Sequence, residues 1–246
     1  MNKRLGTSLL VIAVIALCSV AASAQKDKHS SKAKVVDSGT FGVYMGGRRV
    51  ASETFTIRQT PESSVTTSQF KSADGHAAQE SVLTLGPVGE LRRYEWKELN
   101  PGKGQTVLEP QDEFLIERVK GSDNKSSEQP YLMPHTTMVL DDYFFSHRQI
   151  LAWRYLAAGC KPKAGESGCP MAKAQFGIIV PRQRVSSMVS VEYMGREKTN
   201  VRGVERELNR INMSSDMGGD WALWFDDKHM LVRILIAGDN TEVLRD

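Results

Sequence analysis

Short runs of alternating apolar and polar residues, separated by glycine and proline turns, make up most of this chain. Phe41 and Val43 point to one face of the first run, and Phe55 and Ile57 share a face of the next. Period-two alternation of this kind is typical of β-strands that bury one face. Gly46-Gly47 lies between the two runs and permits the positive φ that a tight hairpin turn requires. The even spacing of further short runs predicts a mainly β protein with an antiparallel sheet.

The same alternation returns in the second half of the chain. Residues 188–194 alternate, and Gly195 is expected to form a turn after them. Further along, Trp221, Leu223 and Phe225 share one face of a strand. No linker composition separates the two halves, which favours one continuous domain, although the halves could form distinct sheets.

One segment, residues 142–156, has the pattern of a long helix. Large apolar side chains occur on nearly every face, interrupted only by residues 146–149 and Arg154. A helix that is apolar on most sides must be buried. We therefore expect it inside a curved antiparallel sheet or half-barrel, or within a sandwich. Asp141 or Asp142 is predicted to cap its first turn.

The N-terminus, residues 1–24, has the three parts of a secretory signal peptide. Lys3 and Arg4 form a positive region, and residues 9–20 form an apolar run. Residues 22–24, Ala-Ser-Ala, fit the small-residue cleavage pattern. The apolar run, about a dozen residues, is too short to span a bilayer comfortably.

Cleavage between Ala24 and Gln25 is therefore predicted, giving a periplasmic or secreted protein with no transmembrane segment. Retention of the leader as an anchor and lipidation at Cys18 are the alternatives. Residues 25–38 are expected to form a disordered basic tail, because the run that follows the leader is polar and rich in lysine. Residues 39–246 are predicted to form the single β domain.

The net charge gives no reason to expect a nucleic-acid-binding body. The formal net charge is +3, but six basic residues and only one acidic residue lie within the first 34 positions. The rest of the chain consequently has a slight excess of acidic side chains. Nucleic acid is therefore not expected among the partners.

Cys160 and Cys169 are the two cysteines that remain after cleavage. In an exported protein, two cysteines so close in sequence are expected to form one structural disulfide. The alternatives are a redox-active pair, which more typically has the C-x-x-C spacing, and a metal site, which would need further ligands near by.

No motif for catalysis or cofactor binding stands out. The histidines have no metal-ligand spacing, and there is neither a nucleophile elbow nor a phosphate-binding loop at a strand-to-helix junction. Asp141 and Asp142 with His147 could form a catalytic set, but helix capping explains the aspartates more simply. We predict a protein that is not an enzyme and that has no metal and no cofactor.

The helix supplies the candidate ligand-binding residues. Phe144, Leu151 and Tyr155 fall on one stripe by the three-and-four spacing, and His147 and Arg148 are polar residues on a mostly apolar helix. Arg148 has two interpretations. In the first, Arg148 ties the helix to loops or a strand edge. In the second, it binds the anionic head group of a ligand inside the sheet.

The order of these signals resembles a known family. The segments concerned are the hairpin at residues 41–51, the acidic helix start with aromatics and an arginine at 141–148, and the strand pair at 221–226 and 231–236. Over residues 39–244 this layout is similar to the exported bacterial domain of unknown function 3108. Ala51 stands where that family usually has a second glycine, and the loop between the cysteines is an addition. The resemblance implies an exported antiparallel β protein with one packed helix, and it supplies no catalytic residues.

Two functional hypotheses from different classes follow, with a third less favoured. The first is a non-enzymatic protein that binds an apolar or amphipathic small molecule such as a lipid. The second is a scaffold or interaction module for another envelope protein, and the third is a hydrolase built from dispersed residues. A cavity within the sheet would favour the first, and a solid core with an apolar surface patch the second.

Overall fold

A computed structural model describes residues 33–159 and 172–246 of the chain. This part of the protein contains fifteen strands, one α-helix and one short 3₁₀ turn at Pro181–Gln183. In chain order the strands and the helix are Lys34–Met45 (β1), Arg48–Gln59 (β2), Ser64–Ser72 (β3), Ala78–Leu85 (β4), Leu91–Asn100 (β5), Gln105–Gln111 (β6), Phe114–Lys120 (β7), Ser126–Tyr131 (β8), Met138–Val139 (β9), Ser146–Gly159 (α1), Ala174–Val180 (β10), Val185–Val201 (β11), Val204–Ser215 (β12), Asp220–Phe225 (β13), Leu231–Ile236 (β14) and Thr241–Arg245 (β15).

All fifteen strands belong to one sheet in the order β8-β7-β6-β5-β4-β3-β2-β1-β15-β14-β13-β12-β11-β10-β9. Consecutive strands pair as antiparallel neighbours from β1 to β8 and again from β10 to β15, and β15 returns to pair with β1. Among the described strands only β9 and β10 pair in parallel. The mainly β, curved antiparallel sheet that the sequence predicted is confirmed, and its two halves form one sheet.

Of two turns predicted at glycines, one is present in the structure and the other is not. Gly46 and Gly47 have φ of +55° and +78° and form the predicted two-residue turn, because Met45 pairs directly with Arg48. The predicted turn at Gly195 is wrong. Gly195 has φ of +94° and lies in a β-bulge within the long strand β11, where the register with β12 shifts after Tyr193.

The helix α1 lies inside the curved sheet, as its apolar faces required. Leu151, Ala152 and Gln149 are fully buried, and Leu151 and Ala152 belong to one continuous hydrophobic core with strand residues. The helix begins at Ser146, four residues after the predicted start at 142. Residues 141–145 precede it as a non-helical segment that contains turns. The predicted capping by Asp141 or Asp142 is therefore wrong, and Glu53 of β2 takes that role.

Strand β1 begins at Lys34, so residues 34–38 belong to the sheet and not to a disordered tail. Val36 packs against the core, and Asp37 is 8% exposed and forms an ion pair with Arg245 at 2.5 Å. The ion pair of Asp37 is not visible as periodicity, because Arg245 comes from the opposite end of the chain. The predicted boundary of the domain at residue 39 is too late by five residues.

No helix within residues 33–159 and 172–246 combines the length and the apolar character that crossing a bilayer would require.

Candidate functional site

The start of α1 is held by a carboxylate from strand β2. Glu53 is fully buried, and its Oε2 accepts hydrogen bonds from the backbone N–H of Phe145 at 2.6 Å and of Ser146 at 3.2 Å. The hydroxyl of Ser146 donates to Oε1 at 2.6 Å and lies 2.9 Å from the hydroxyl oxygen of Ser68. Glu53 thus satisfies first-turn N–H groups that have no partner within the helix.

Burial raises the pKa of Glu53 from 4.5 to about 7, even though the hydrogen bonds from Ser146, Ser68 and Phe145 act in the opposite direction. Desolvation disfavours the charged form more strongly than these donors favour it. The helix cap therefore carries a carboxyl group that titrates near neutral pH.

Asp141 is fully buried at the centre of a second polar cluster. Its carboxylate accepts from the hydroxyl of Tyr94 at 2.5 Å and from Nε of Arg182 at 2.8 Å. The Arg182 guanidinium also donates to the side-chain oxygen of Gln79 at 2.8 Å and lies 3.9 Å from the ring centroid of Tyr143. Asp141 therefore binds the 3₁₀ turn to the sheet, which explains why it does not cap the helix.

All five predicted ligand-binding residues lie in the interior. Phe144, His147 and Leu151 are fully buried, Tyr155 is 1% exposed and Arg148 is 3% exposed. The Tyr155 hydroxyl accepts from the backbone N–H of Tyr193 at 2.9 Å, which fixes the helix against β11. Whether any of them contacts a ligand stays a prediction.

His147 is a buried neutral imidazole. Its Nδ1 accepts from the backbone N–H of Asp141 at 3.4 Å, so the proton is on Nε2, which has no hydrogen-bond partner within the described residues. Burial, and secondarily the charge of Arg148, lowers the pKa of His147 from 6.5 to about 3. The carboxylate of Asp141 is bound by Tyr94 and Arg182, so Asp141 and His147 are adjacent without forming an acid–base pair.

Arg148 lies between aromatic rings. Its guanidinium carbon is 5.5 Å from the ring centroid of Phe145 and 5.0 Å from that of Trp221. Its Nη1 donates to the backbone carbonyl of Asp141 at 3.3 Å, while Nε has no partner within the described residues. Burial lowers the pKa of Arg148. These contacts agree with the interpretation that Arg148 ties the helix to its surroundings.

A cleft of about 360 Å³ opens beside the segment that leads into α1. We call it the apolar cleft. It is lined by Val43, Met45, Val50, Ala51, Phe70, Ser72, Ala77, Gln79, Asp142, Tyr143, Phe145, Ile236, Asp239 and Thr241. This lining comes from β1 to β4 and the turn before β4, from the segment that leads into α1, and from the end of β14 through the start of β15. Residues almost 200 positions apart therefore form one site.

Aromatic packing and a backbone hydrogen bond hold the walls of the apolar cleft in place. The Phe70 and Tyr143 rings pack with centroids 4.7 Å apart, and Tyr143 is in turn covered by the Arg182 guanidinium. Phe145, whose backbone N–H binds Glu53, contributes a buried aromatic ring. Tyr143 and Met45 are 41% and 47% exposed, which places apolar surface next to solvent at this site.

None of the five predicted ligand-binding residues lines the apolar cleft. Sequence reasoning also missed Glu53, Arg182 and the strand residues of the cleft. One signal was available for Glu53, because it stands at an inward position between Ala51 and Phe55, where an apolar residue is expected. An acid at such a position needs a partner. No comparable pattern pointed to Arg182, because its role depends on contacts across the fold.

The described residues contain no group of three or more histidine, cysteine and acidic side chains that could hold a metal ion. Cys160 and Cys169 lie outside the described residues, so their disulfide stays a prediction.

Comparisons with known proteins give the fold and no activity. No family model matches the chain, and no curated protein sequence matches it. A crystal structure of a beta-barrel-like protein of domain of unknown function 1849 from Brucella abortus is similar in structure, with a TM-score of 0.51 and 7% sequence identity. The match covers 87% of this chain and 97% of the other.

At this identity the likeness shows the fold alone. The class it supports is an uncharacterised, mainly β domain, and nothing in that neighbour's description indicates catalysis. The particular resemblance to domain of unknown function 3108 is not shown.

Proposed function

We propose that this protein is exported and binds a small amphipathic molecule in the apolar cleft without transforming it chemically. The observation that supports this proposal is the cleft itself, an opening of about 360 Å³ with mostly apolar walls and a few polar groups. Small-molecule sites typically have volumes of about 300–1,000 Å³ and this composition. The core around Leu151 is packed, so the ligand belongs at the start of the helix and not along its length.

A second cleft, of about 380 Å³, has a different character. Its lining includes Lys173, Glu192, Arg210 and Asp220, and Arg210 is already paired with Glu197 at 3.0 Å. Charged groups of both signs offer little to an apolar body. The apolar cleft is therefore the better site for an amphipathic ligand.

Filling the apolar cleft should weaken ligand uptake while leaving the fold stable. Ala77 lines the cleft and is half-buried, so Ala77→Phe is expected to weaken binding of the neutral probe N-phenylnaphthylamine roughly tenfold by occupying the space. The free energy of unfolding should change by less than about 0.5 kcal/mol, as for most substitutions near the surface. Fluorescence titration and urea unfolding measure the two quantities.

Ala73→Phe is the matched control, because Ala73 is exposed in the same turn and does not line the cleft. It should bind the probe as the unmodified protein does. If Ala77→Phe binds the probe normally, the ligand does not occupy this cleft. If the unmodified protein takes up no neutral probe, the envelope interaction module becomes the better hypothesis.

Export is tested separately. N-terminal sequencing of the protein isolated from the cell envelope of its own host should find Gln25 as the first residue, because Ala22 and Ala24 satisfy the peptidase's requirement for small residues. An N-terminus at Met1, or a lipid on Cys18, would contradict the proposed cleavage.

A further inference from the structure

We infer that the ligand of the apolar cleft is a small amphiphile with a cationic head, a protonated amine attached to an apolar body. This inference rests on the proposed function and adds the chemical class of the ligand. It depends on the signs of the charged residues that line the cleft and on whether those residues already form ion pairs.

Asp142 and Asp239 are the charged residues of the lining, and no lysine, arginine or histidine accompanies them among the described residues that line it. Asp142 accepts a hydrogen bond from the side-chain amide of Gln183 at 2.7 Å, and Asp239 accepts from the backbone N–H of Thr241 at 3.0 Å. Both donors are neutral. Neither aspartate forms a direct ion pair within the described residues. Asp142 interacts at longer range with the buried Arg148, and no cation in the described part of the chain contacts either carboxylate directly.

The rest of the lining suits the apolar part of such a ligand. Val43, Ala51, Phe70 and Phe145 are each at most 6% exposed, and they form the inner wall of the cleft. A molecule whose hydrocarbon portion covers these side chains would leave its head group at the more exposed positions, where the aspartates are. Burial of the apolar part provides most of the affinity, and the aspartates provide the preference for charge.

Arg182 and Arg148 lie against the aromatic rings of Tyr143 and Phe145 without lining the cleft themselves, and both interact with acidic groups. Arg182 is paired with the buried carboxylate of Asp141. Arg148 is buried against the ring of Phe145, and its charge interacts with three carboxylates, those of Asp142, Glu53 and Asp141. Among these groups the three aspartates, Asp141, Asp142 and Asp239, outnumber the two arginines even when Glu53, whose pKa is about 7, is left out. An anionic head, such as that of a fatty acid, would meet net repulsion at the rim.

Three ligands with the same chain and different heads test the inference. Octylamine, octanol and octanoate are each used to displace N-phenylnaphthylamine from the full mature protein at neutral pH. At low salt the octylammonium ion should displace the probe at roughly tenfold lower concentration than octanoate, with octanol between them, because each aspartate contributes a surface-type ion pair. The difference should shrink as salt is added, since the charges are partly exposed.

From the double variant Asp142→Asn/Asp239→Asn, octylamine and octanoate are expected to displace the probe at about equal concentrations. Asparagine keeps the size of the side chain and an oxygen that accepts from Gln183 or Thr241. The control variant Glu62→Gln/Asp216→Asn removes two exposed acids outside the cleft and should retain the preference.

The outcomes separate the two proposals. The inference of a cationic head would be overturned if octanoate and octylamine displaced the probe equally well. It would also be overturned if the control variant lost the preference as fully as the cleft variant. Either result would leave the apolar cleft as the binding site. Failure of the neutral probe to bind at all would remove the proposed function and this inference together.

Discussion

Truncation of Leu151 to alanine is expected to lower the free energy of unfolding by about 2–5 kcal/mol. Leu151 is fully buried within the continuous core between α1 and the sheet. Removing its terminal atoms leaves a cavity that the surrounding strands cannot fill without moving. Because Leu151 does not line the apolar cleft, uptake of N-phenylnaphthylamine by the folded variant should be unchanged. Urea unfolding and probe titration check the two parts.

The matched control is Leu132→Ala, which makes the same chemical change at a side chain that is 74% exposed. It should cost less than about 0.5 kcal/mol. A small loss of stability at Leu151 combined with altered probe uptake would mean that the helix stripe, and not the apolar cleft, contacts the ligand.

Acidification is expected to destabilise the protein through His147. The pKa of His147 is about 3 in the folded protein and 6.5 as its ordinary value, so the unfolded chain binds the proton more readily. Its stabilising contribution is complete above about pH 6.5 and is lost as the pH falls toward 3. Between pH 6.5 and about pH 4 the loss amounts to about 3 kcal/mol.

Glu53 changes the stability of the protein in the opposite direction over an overlapping range of pH. Its pKa is about 7 in the folded protein against 4.5 ordinarily, so the folded state binds the proton more readily. Glu53 therefore contributes fully to the free energy of unfolding below about pH 4.5. About 3 kcal/mol of that contribution is lost as the pH rises through about 7. Between about pH 4.5 and 6.5 the effects of the two groups largely cancel. Below that range only the loss from His147 continues.

Two variants separate these contributions. His147→Asn keeps an acceptor for the Asp141 N–H without a titrating ring, and Glu53→Gln mimics the protonated carboxyl group. Compared with His147→Asn, the unmodified protein should lose stability as the pH falls. Compared with Glu53→Gln, it should gain stability as the pH falls. Urea unfolding from pH 4 to 8 measures both differences. Curves that run parallel for all three proteins would contradict the assigned environments.

Local pattern was sufficient for much of the fold. Alternation predicted the strands around Phe41, Phe55 and Trp221, and the pair Gly46-Gly47 predicted the hairpin turn between the first two. The apolar character of residues 142–156 predicted a buried helix within a curved sheet. These features depend on which face of a strand or helix is apolar, and a single segment of sequence contains that information.

Other features depended on residues far apart in the chain. Glu53 caps α1 from a position 93 residues before Ser146, and the aspartates nearest the helix are engaged elsewhere or lie at the cleft. Gly195 bends a long strand instead of ending it, because the partner strand β12 continues past it. Periodicity cannot report such relations, since it describes one segment at a time.

The sequence by itself determined a β-rich chain with one helix that had to be buried, because apolar periodicity sets which faces leave water. Only the tertiary structure decided where the candidate site lies. The apolar cleft joins Val43 on β1, Phe70 on β3 and Asp239 beyond β14, and these meet because β15 pairs with β1. Strand order and register bring such residues together through long-range hydrogen bonding and packing, which no local pattern encodes.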